Sequence, residues 1–255
     1  MSPFRLLSPA LFALAIVATP QTASAQTFSD GQRGEIETIV KSYLISHPEV
    51  LEEAMAELNK RQAAAEEEKH LTSITQNSEA IFNSPRNVTL GNKNGDVTFV
   101  EFFDYNCGYC KRAMTDMIEL MKADPKLKVV LKEFPVLSDG SVDAAKVAVA
   151  VRMQDPGGAK YLDFHQKLLG GRGAADKARA LAVAKDAGLD VARIEKDMAS
   201  PEVKATIEEN FKLAESMGMN GTPSYVIGKQ VVVGAIGLDG LKEKIGVARC
   251  GKATC

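Results

Sequence analysis

The sequence has 255 residues, of which 45% are hydrophobic and 25% charged, the ordinary composition of a globular protein with one large domain or one domain and an appendage. Its formal net charge of −2 excludes the strong basic bias of chains that bind nucleic acid or anionic membranes through their overall charge. The four cysteines form an even set, and their pairing depends on the compartment in which the chain works.

Residues 1–25 carry the three parts of a secretory signal. Arg5 is the only charged residue among them, an apolar run extends from Leu6 to Ala18, and Ala23-Ser24-Ala25 forms a small-residue cleavage site. An uncleaved membrane anchor is the alternative, but this run is shorter than the roughly 20 apolar residues that a membrane span requires. We therefore expect a periplasmic protein, cleaved after Ala25, in a compartment where cysteine pairs are usually oxidised.

Residues 26–71 are predicted to form an N-terminal segment of two helices, the second beginning near Pro48. Each helix carries one narrow apolar stripe, made up of Ile36, Ile39, Val40, Tyr43 and Leu44 in the first and of Leu51, Met55 and Leu58 in the second. Two such stripes cannot make a core alone, so the segment packs either on the main domain or on copies of itself. The sequence leaves open docking in cis and a homo-oligomer formed through residues 28–70.

A polar stretch and a Ser84-Pro85 turn predict a linker over residues 72–86. The strands predicted beyond it, from β-branched and aromatic runs, are Val88–Leu90, Val97–Phe103, Leu127–Phe134, Ser224–Ile227 and Val231–Val233. Helices are predicted at Ala113–Met121 and Leu238–Val247, and residues 141–218 are predicted to form a helical block interrupted by glycines and prolines.

The motif Cys107-Gly108-Tyr109-Cys110 directly follows the predicted strand Val97–Phe103 and opens a predicted helix. A cysteine at a helix N-terminus faces unpaired backbone N–H groups and the positive end of the helix dipole, so its thiolate is stabilised. Cys107 is thus the expected nucleophile, and Cys110, one helical turn further on, is the thiol that resolves a mixed disulfide. The alternatives for a C-x-x-C pair are a structural disulfide and half of a zinc site.

Gly221-Thr222-Pro223 stands immediately before the predicted strand Ser224–Ile227. Proline has no N–H to donate within a central strand, so it is expected at the first position of that strand. The bond between Thr222 and Pro223 is then either cis, as a specific feature of the site, or part of an ordinary turn.

Together, the stretch Phe102–Cys110, the helical block and Gly221-Thr222-Pro223 resemble the DsbA-like branch of the thioredoxin superfamily over residues 87–248. The resemblance implies an α/β thioredoxin-like fold with a helical insertion domain at residues 141–218, preceded by an N-terminal helical segment. That segment is similar to the N-terminal helices of the ScsC-like (suppressor of copper sensitivity) branch, whose members can oligomerise through them.

The same resemblance assigns the residues that meet the substrate. Pro223 is expected to be a cis-proline facing the active-site disulfide, and Thr222 to present its backbone to an extended substrate segment. Gly108 and Tyr109 are expected to complete the active-site surface between the two cysteines.

Glu101 matches the buried acid that the family places beneath its second cysteine, which makes it a candidate proton relay for Cys110. Lys132 is a candidate partner for that carboxyl group. The alternative for Glu101 is an edge-facing strand residue with no catalytic role.

Two residues bear on the direction of the chemistry. The prototype oxidase has histidine before its second cysteine, whereas Tyr109 offers no positive charge, so this pair should be less strongly oxidising. Thr222 before the proline resembles the disulfide isomerases of the superfamily. We expect an oxidase, an isomerase or both, acting on unfolded or misfolded exported proteins, with a membrane redox partner and without a cofactor or nucleic acid. The alternative is a non-catalytic holdase chaperone or a surface-antigen-like protein on the same scaffold.

Residues 249–255 form a tail with a second cysteine pair, Cys250 and Cys255. Four residues separate them, so a structural disulfide is geometrically easy, although such a short loop gains little entropy. An accessory redox pair and a weak metal site are the alternatives. We expect no metal at His47, His70 or His165 because these residues lack ligand spacing.

Overall fold

The computed structural model describes residues 28–255, so the predicted signal at residues 1–25 lies outside the described part. The chain divides into two compact units, the first ending at Leu58 and the second running from Asn59 to Cys255. Among the described residues, no helix is long and apolar enough to cross a membrane.

The helices are α1 (Asp30–Ser46), α2 (Glu49–Gln76), α3 (Ser78–Phe82), α4 (Gly108–Ala123), α5 (Asp139–Gln154), α6 (Ala159–Gly170), α7 (Lys177–Asp186), α8 (Val191–Asp197), α9 (Pro201–Ser216) and α10 (Gly237–Cys250). The strands are β1 (Val88–Gly91), β2 (Val97–Phe103), β3 (Leu127–Glu133), β4 (Ser224–Ile227) and β5 (Gln230–Val233).

The first unit consists of α1 and the beginning of α2. Ser29 starts α1 through a capping box, in which its side chain accepts from the backbone N–H of Gln32 and its own N–H donates to the Gln32 side chain. No residue of α1 is buried, and Ile39 and Ile45 are 66% and 70% exposed. This unit therefore presents its apolar side chains to the surface.

The structure corrects the linker predicted at residues 72–86. α2 continues to Gln76 and α3 follows almost at once, so most of that stretch is helical. The reason is tertiary packing: Ile74 is buried in a cluster with residues of the sheet and α9, and the Ser73 hydroxyl donates to Ser216 Oγ at 2.9 Å. A polar composition alone does not reveal such contacts.

The second unit is built on one mixed five-stranded sheet with the order β1-β3-β2-β4-β5. β2 and β3 are parallel, and the other neighbouring strands are antiparallel. Every residue of the central strand β2 except Thr98 is buried, which explains its nearly continuous apolar sequence. The sequence-predicted strands are all present, and the thioredoxin-like fold is confirmed.

Glu101 of β2 and Lys132 of β3 do not face each other. In the parallel pairing with β3, Glu101 is opposite Leu131 and Phe102 is opposite Lys132. Because side chains alternate along a strand, Glu101 and Lys132 point to opposite faces of the sheet. Lys132 donates instead to Ala80 O, Asn87 Oδ1 and Asn210 Oδ1. The predicted partnership of Lys132 with Glu101 is therefore wrong.

The predicted helical insertion is confirmed as the five helices α5–α9, which lie between β3 and β4 in the chain. Its interruptions fall at the glycines and prolines expected to break helices, for example Gly158 with φ of 82° before α6 and Pro201 in the first turn of α9. Helix α4 packs Cys110, Met117 and Leu120 into the core on the Glu101 face of the sheet. The N-terminus of α4 is where the candidate site lies.

Candidate active site

Cys107 is the N-cap residue of α4, and its sulfur lies between two backbone groups. The backbone N–H of Cys110 donates to Cys107 Sγ at 3.2 Å, and the Cys107 thiol donates to the carbonyl oxygen of Thr222 at 3.2 Å. Both cysteines of the motif are free thiols and both are buried, Cys107 with 6% of its surface exposed and Cys110 with none. The structure thus brings together Cys107, Cys110 and Thr222.

The two thiols differ strongly in acidity. The pKa of Cys107 is lowered to about 6, chiefly by its side-chain hydrogen bond with Cys110 and further by the backbone N–H groups of Cys110 and Tyr109 at the start of α4. The pKa of Cys110 is raised far above its usual range, first by burial and then by its hydrogen bond with Cys107. At neutral pH, one thiolate and one thiol therefore lie side by side, the combination that thiol–disulfide exchange uses.

Glu101 lies in β2 with only 2% of its surface exposed, opposite Tyr225 of β4. Its pKa is raised to about 8, mainly because burial disfavours the charged form and further because of negative charge at Cys107 and Asp116. The charge of Glu101 in turn contributes to the raised pKa of Cys110, so the two groups share one electrostatic environment. A carboxyl group that titrates near neutral pH at this position is able to take up or release a proton.

Replacing Glu101 with glutamine should stabilise the reduced protein at neutral pH. The pKa of Glu101 is about 8 in the folded state, whereas its ordinary value is 4.5. Between these two pH values the folded state holds a proton that the unfolded state releases, so the free energy of unfolding of the wild type falls as pH rises through this range. Glu101→Gln removes this loss, worth up to about 3 kcal/mol at pH 7. Urea unfolding at pH 4 and pH 7 should show the gain at pH 7 alone. An equal gain from Glu243→Gln, at an exposed position of α10, would contradict the explanation.

The Thr222–Pro223 peptide bond is cis, and Pro223 stands directly before β4. The carbonyl oxygen of Pro223 accepts from the N–H of Gly234 at 2.9 Å, which ties this turn to the segment after β5. With Pro223 held in this way, the backbone of Thr222 lies against Cys107.

Gly108 and Tyr109 are exposed at the first turn of α4, with Tyr109 presenting 59% of its surface. The guanidinium carbon of Arg112 lies 4.4 Å from the centre of the Tyr109 ring, a cation–π contact. Sequence reasoning missed Arg112, although its spacing of three residues from Tyr109 on a helix was the available signal.

The family model of the DSBA-like thioredoxin domain matches residues 98–246, more than half of the chain. The chain belongs to this family. The N-terminal domain of the copper resistance protein ScsC also matches, over residues 32–65.

Solved structures of this family superpose on most of the chain. A thioredoxin-like oxidoreductase from Silicibacter pomeroyi is 43% identical, with a TM-score of 0.64, covering 67% of this chain and 96% of its own. The thiol–disulfide exchange protein α-DsbA2 from Wolbachia pipientis is 31% identical, with a TM-score of 0.65, covering 71% and 96%. A linker-deletion variant of ScsC from Proteus mirabilis is 25% identical, with a TM-score of 0.65, covering 88% and 98%.

Curated relatives match only over part of their length. A Na⁺/H⁺ antiporter NhaA from Salinispora arenicola is 26% identical over 166 residues, which are 65% of this chain. The chain spans about a quarter of the length of that antiporter, 25% by alignment.

The three residues directly before Cys107 fix the loop between β2 and α4, and sequence reasoning missed all of them. They are Asp104, Tyr105 and Asn106. Asp104 Oδ1 accepts from the N–H of Asn106 at 2.7 Å, and its Oδ2 accepts from the N–H groups of Val136 and Leu137 at 2.9 and 3.0 Å. Its contacts join the end of β2 to the segment after β3. No local signal in the sequence identifies such partners, because they lie about 30 residues away.

Tyr105 enters a buried polar network under the helical insertion. Its hydroxyl lies 3.4 Å from that of Tyr161 and 3.3 Å from His165 Nδ1, and the Tyr161 hydroxyl donates to Glu133 Oε1 at 2.6 Å. Burial lowers the pKa of His165 to about 3, so its ring is neutral. His165 thus has a packing role in this network.

The second cysteine pair lies away from this site. Cys250 and Cys255 form a disulfide that closes the tail after α10. Just before it, Arg249 donates to Asp96 and to Asp124, which caps the C-terminal end of α4. Cys107 caps the other end of this 16-residue helix, so roughly 24 Å of helix lies between the two ends.

Proposed function

We propose that this protein is an exported thiol–disulfide oxidoreductase that makes, breaks or reshuffles disulfides in exported proteins. The observation that carries the proposal is the unequal acidity of two adjacent thiols at the N-terminus of α4, with the pKa of Cys107 lowered to about 6. Export is supported by the secretory signal in the sequence, and an oxidising compartment suits the Cys250–Cys255 disulfide.

In the reducing direction, the Cys107 thiolate attacks one sulfur of a substrate disulfide. A bond forms between Cys107 and that sulfur, the substrate S–S bond breaks, and the leaving thiolate takes up a proton. Cys110 then attacks Cys107 Sγ and gives its proton to Glu101, in the minor fraction of molecules in which that carboxyl group, with a pKa of about 8, is ionised. The second substrate thiol is released, and the enzyme is left with a Cys107–Cys110 disulfide. Oxidation of a substrate dithiol is the reverse sequence.

Isomerisation uses the first step alone. Once Cys107 holds one substrate sulfur, the thiol released from the substrate attacks a different disulfide of the same chain. The final substrate thiolate displaces Cys107, so no electrons are gained or lost overall. Because the pKa of Cys110 is raised far above its usual range, its attack is slow until a base takes its proton, which leaves time for rearrangement.

Substrate binding is assigned to the surface around Cys107. The backbone of Thr222 lies against the attacking sulfur, and Pro223 follows it directly before β4; this supports binding of an extended substrate segment through main-chain hydrogen bonds. Gly108 and Tyr109 are exposed beside it and are proposed to contact the same segment. A membrane redox partner that resets the cysteine pair would use the same surface.

The direction of the net reaction follows from the reduction potential of the pair. Tyr109 supplies no charge of its own, and the pKa of Cys107 is lowered chiefly by hydrogen bonds, so we propose a pair less oxidising than that of a strong oxidase. A potential near roughly −120 mV is typical of such an oxidase, and about −180 mV or lower of an isomerase or reductase.

The proposal is tested with two ribonuclease substrates, one reduced and one with scrambled disulfides. The mature chain should accelerate recovery of ribonuclease activity from the scrambled form at least as much as from the reduced form. The reduction potential of the Cys107/Cys110 pair is a separate measurement. Because the chain has no tryptophan, this potential is best measured by alkylation and mass spectrometry after equilibration with glutathione. Recovery no faster than with the Cys107→Ser/Cys110→Ser double variant would refute the proposal.

A further inference from the structure

Asn106, the residue directly before Cys107, binds the helical insertion with both polar atoms of its side chain. The N–H of Ala175 donates to Asn106 Oδ1 at 2.7 Å, and Asn106 Nδ2 donates back to the carbonyl oxygen of Ala175 at 2.9 Å. The same Nδ2 donates to Ser141 Oγ at 2.9 Å. The Asn106 side chain thus exchanges two hydrogen bonds with the backbone of Ala175, although the two residues are 69 positions apart.

The groups that Asn106 meets are buried and closely fitted. Ala175 and Ser141 are each only 1% exposed, so without Asn106 the backbone groups of Ala175 would lose their partner. A Cβ atom at Gly140 would lie 3.0 Å from the carbonyl oxygen of Ala175, so the absence of a side chain there lets α5 approach this loop. These observations make the contact a clamp between the active-site loop and the insertion.

The clamp affects the position of Cys107 Sγ, whose hydrogen bonds depend on both distance and angle. The backbone N–H of Asn106 is bound by Asp104 and its side chain is bound by Ala175. Cys107, the next residue, therefore has little freedom to move. Cys107 Sγ has both its partners, Cys110 N and Thr222 O, at 3.2 Å. Hydrogen bonds weaken steeply as distance and angle depart from their optimum, so a small displacement of Cys107 would weaken the bond from the N–H of Cys110, the one of the two that stabilises a thiolate.

We propose that Asn106 is a positioning residue that, by clamping the active-site loop to the helical insertion, fixes the Cys107 sulfur at the N-terminus of α4. This inference rests on the proposed role of Cys107 as the nucleophile. It gives the insertion a part in the chemistry, because two of its segments, the first turn of α5 and the loop before α7, hold the residue next to the reacting sulfur.

The test is the pH profile of Cys107 alkylation by iodoacetamide in the reduced mature chain, followed by peptide mass so that the other cysteines do not interfere. Asn106→Ala should move the midpoint of the profile upward by about half to one pH unit, because the thiolate loses the N–H groups that stabilise it. Ser141→Ala removes one of the four hydrogen bonds of the Asn106 side chain and should move the midpoint in the same direction by less.

Asn92→Ala is the matched control. Asn92 also uses both side-chain atoms, accepting from the N–H of Asn94 at 2.9 Å and donating to Pro125 O at 3.0 Å, but next to the C-terminal end of α4. It should leave the midpoint unchanged, whatever its effect on the melting temperature.

An unchanged midpoint in folded Asn106→Ala, or an equal shift in Asn92→Ala, would overturn the proposal. If Asn106→Ala does not fold, Asn106→Ser and Ser141→Ala decide between these outcomes. Alkylation needs no protein substrate, so a failure of the ribonuclease assay would refute the proposed function and leave this result independent of it.

Discussion

Replacing Cys107 with serine is expected to abolish disulfide exchange and to leave the fold intact. A serine hydroxyl is not ionised at neutral pH and forms no disulfide, so the first step of every proposed reaction is lost. The fold should survive because serine is nearly the same size and is among the best N-cap residues, which preserves the start of α4. The measurements are insulin reduction, recovery of scrambled ribonuclease and far-ultraviolet circular dichroism. Wild-type activity in a folded Cys107→Ser chain would contradict the enzyme assignment.

Cys110→Ser separates the two cysteines by their roles. Cys107 keeps its contact with the N–H at position 110, which stabilises the thiolate, so it should still attack a substrate disulfide. The mixed disulfide should then accumulate, because no second thiol is present to resolve it, and it is detected as a mass adduct with glutathione or with a substrate protein. Net reduction of insulin should fall to the background rate, whereas isomerisation, which uses Cys107 alone, should be partly retained. Equal adduct formation by Cys107→Ser would show that the roles are reversed.

The parts of the site that the sequence could predict are those encoded locally. Cys107 and Cys110 were found because a strand, two cysteines at one-turn spacing and a helix follow one another within 27 residues, from Val97 to Ala123. The strands were found because β2 and β3 are buried on both faces and therefore have nearly continuous apolar sequences. In such cases neighbouring residues carry the whole signal.

What the sequence could not predict depends on contacts between distant segments. The clamp between Asn106 and Ala175 uses the backbone of an alanine, whose identity says nothing about the contact. Lys132 was assigned to Glu101 on chemical complementarity, and only the register of β2 against β3 shows that they lie on opposite faces. The continuation of α2 through residues 72–76 likewise depends on packing of Ile74, not on local propensity.

The apolar stripe of α1 leads to a prediction about assembly. Ile36, Ile39 and Tyr43 are between 42% and 66% exposed, an arrangement that exposes apolar area without a covering partner among the described residues. Because the ScsC N-terminal family matches residues 32–65, we propose that copies of this segment bury the stripe against one another and form a homo-oligomer.

Ile39→Glu should therefore dissociate the full-length mature protein to monomers, because it places a charge in the centre of the buried seam. Thr38→Glu is the matched control, since Thr38 lies on the opposite side of α1 and is exposed. Sedimentation equilibrium should give a multiple of the monomer mass for the wild type and for Thr38→Glu, and the monomer mass for Ile39→Glu. Scrambled ribonuclease recovery should fall several-fold in Ile39→Glu while insulin reduction per active site is retained, because only isomerisation benefits from several active sites acting on one substrate. A monomeric wild-type chain, or dissociation by both variants, would rule out assembly through this stripe.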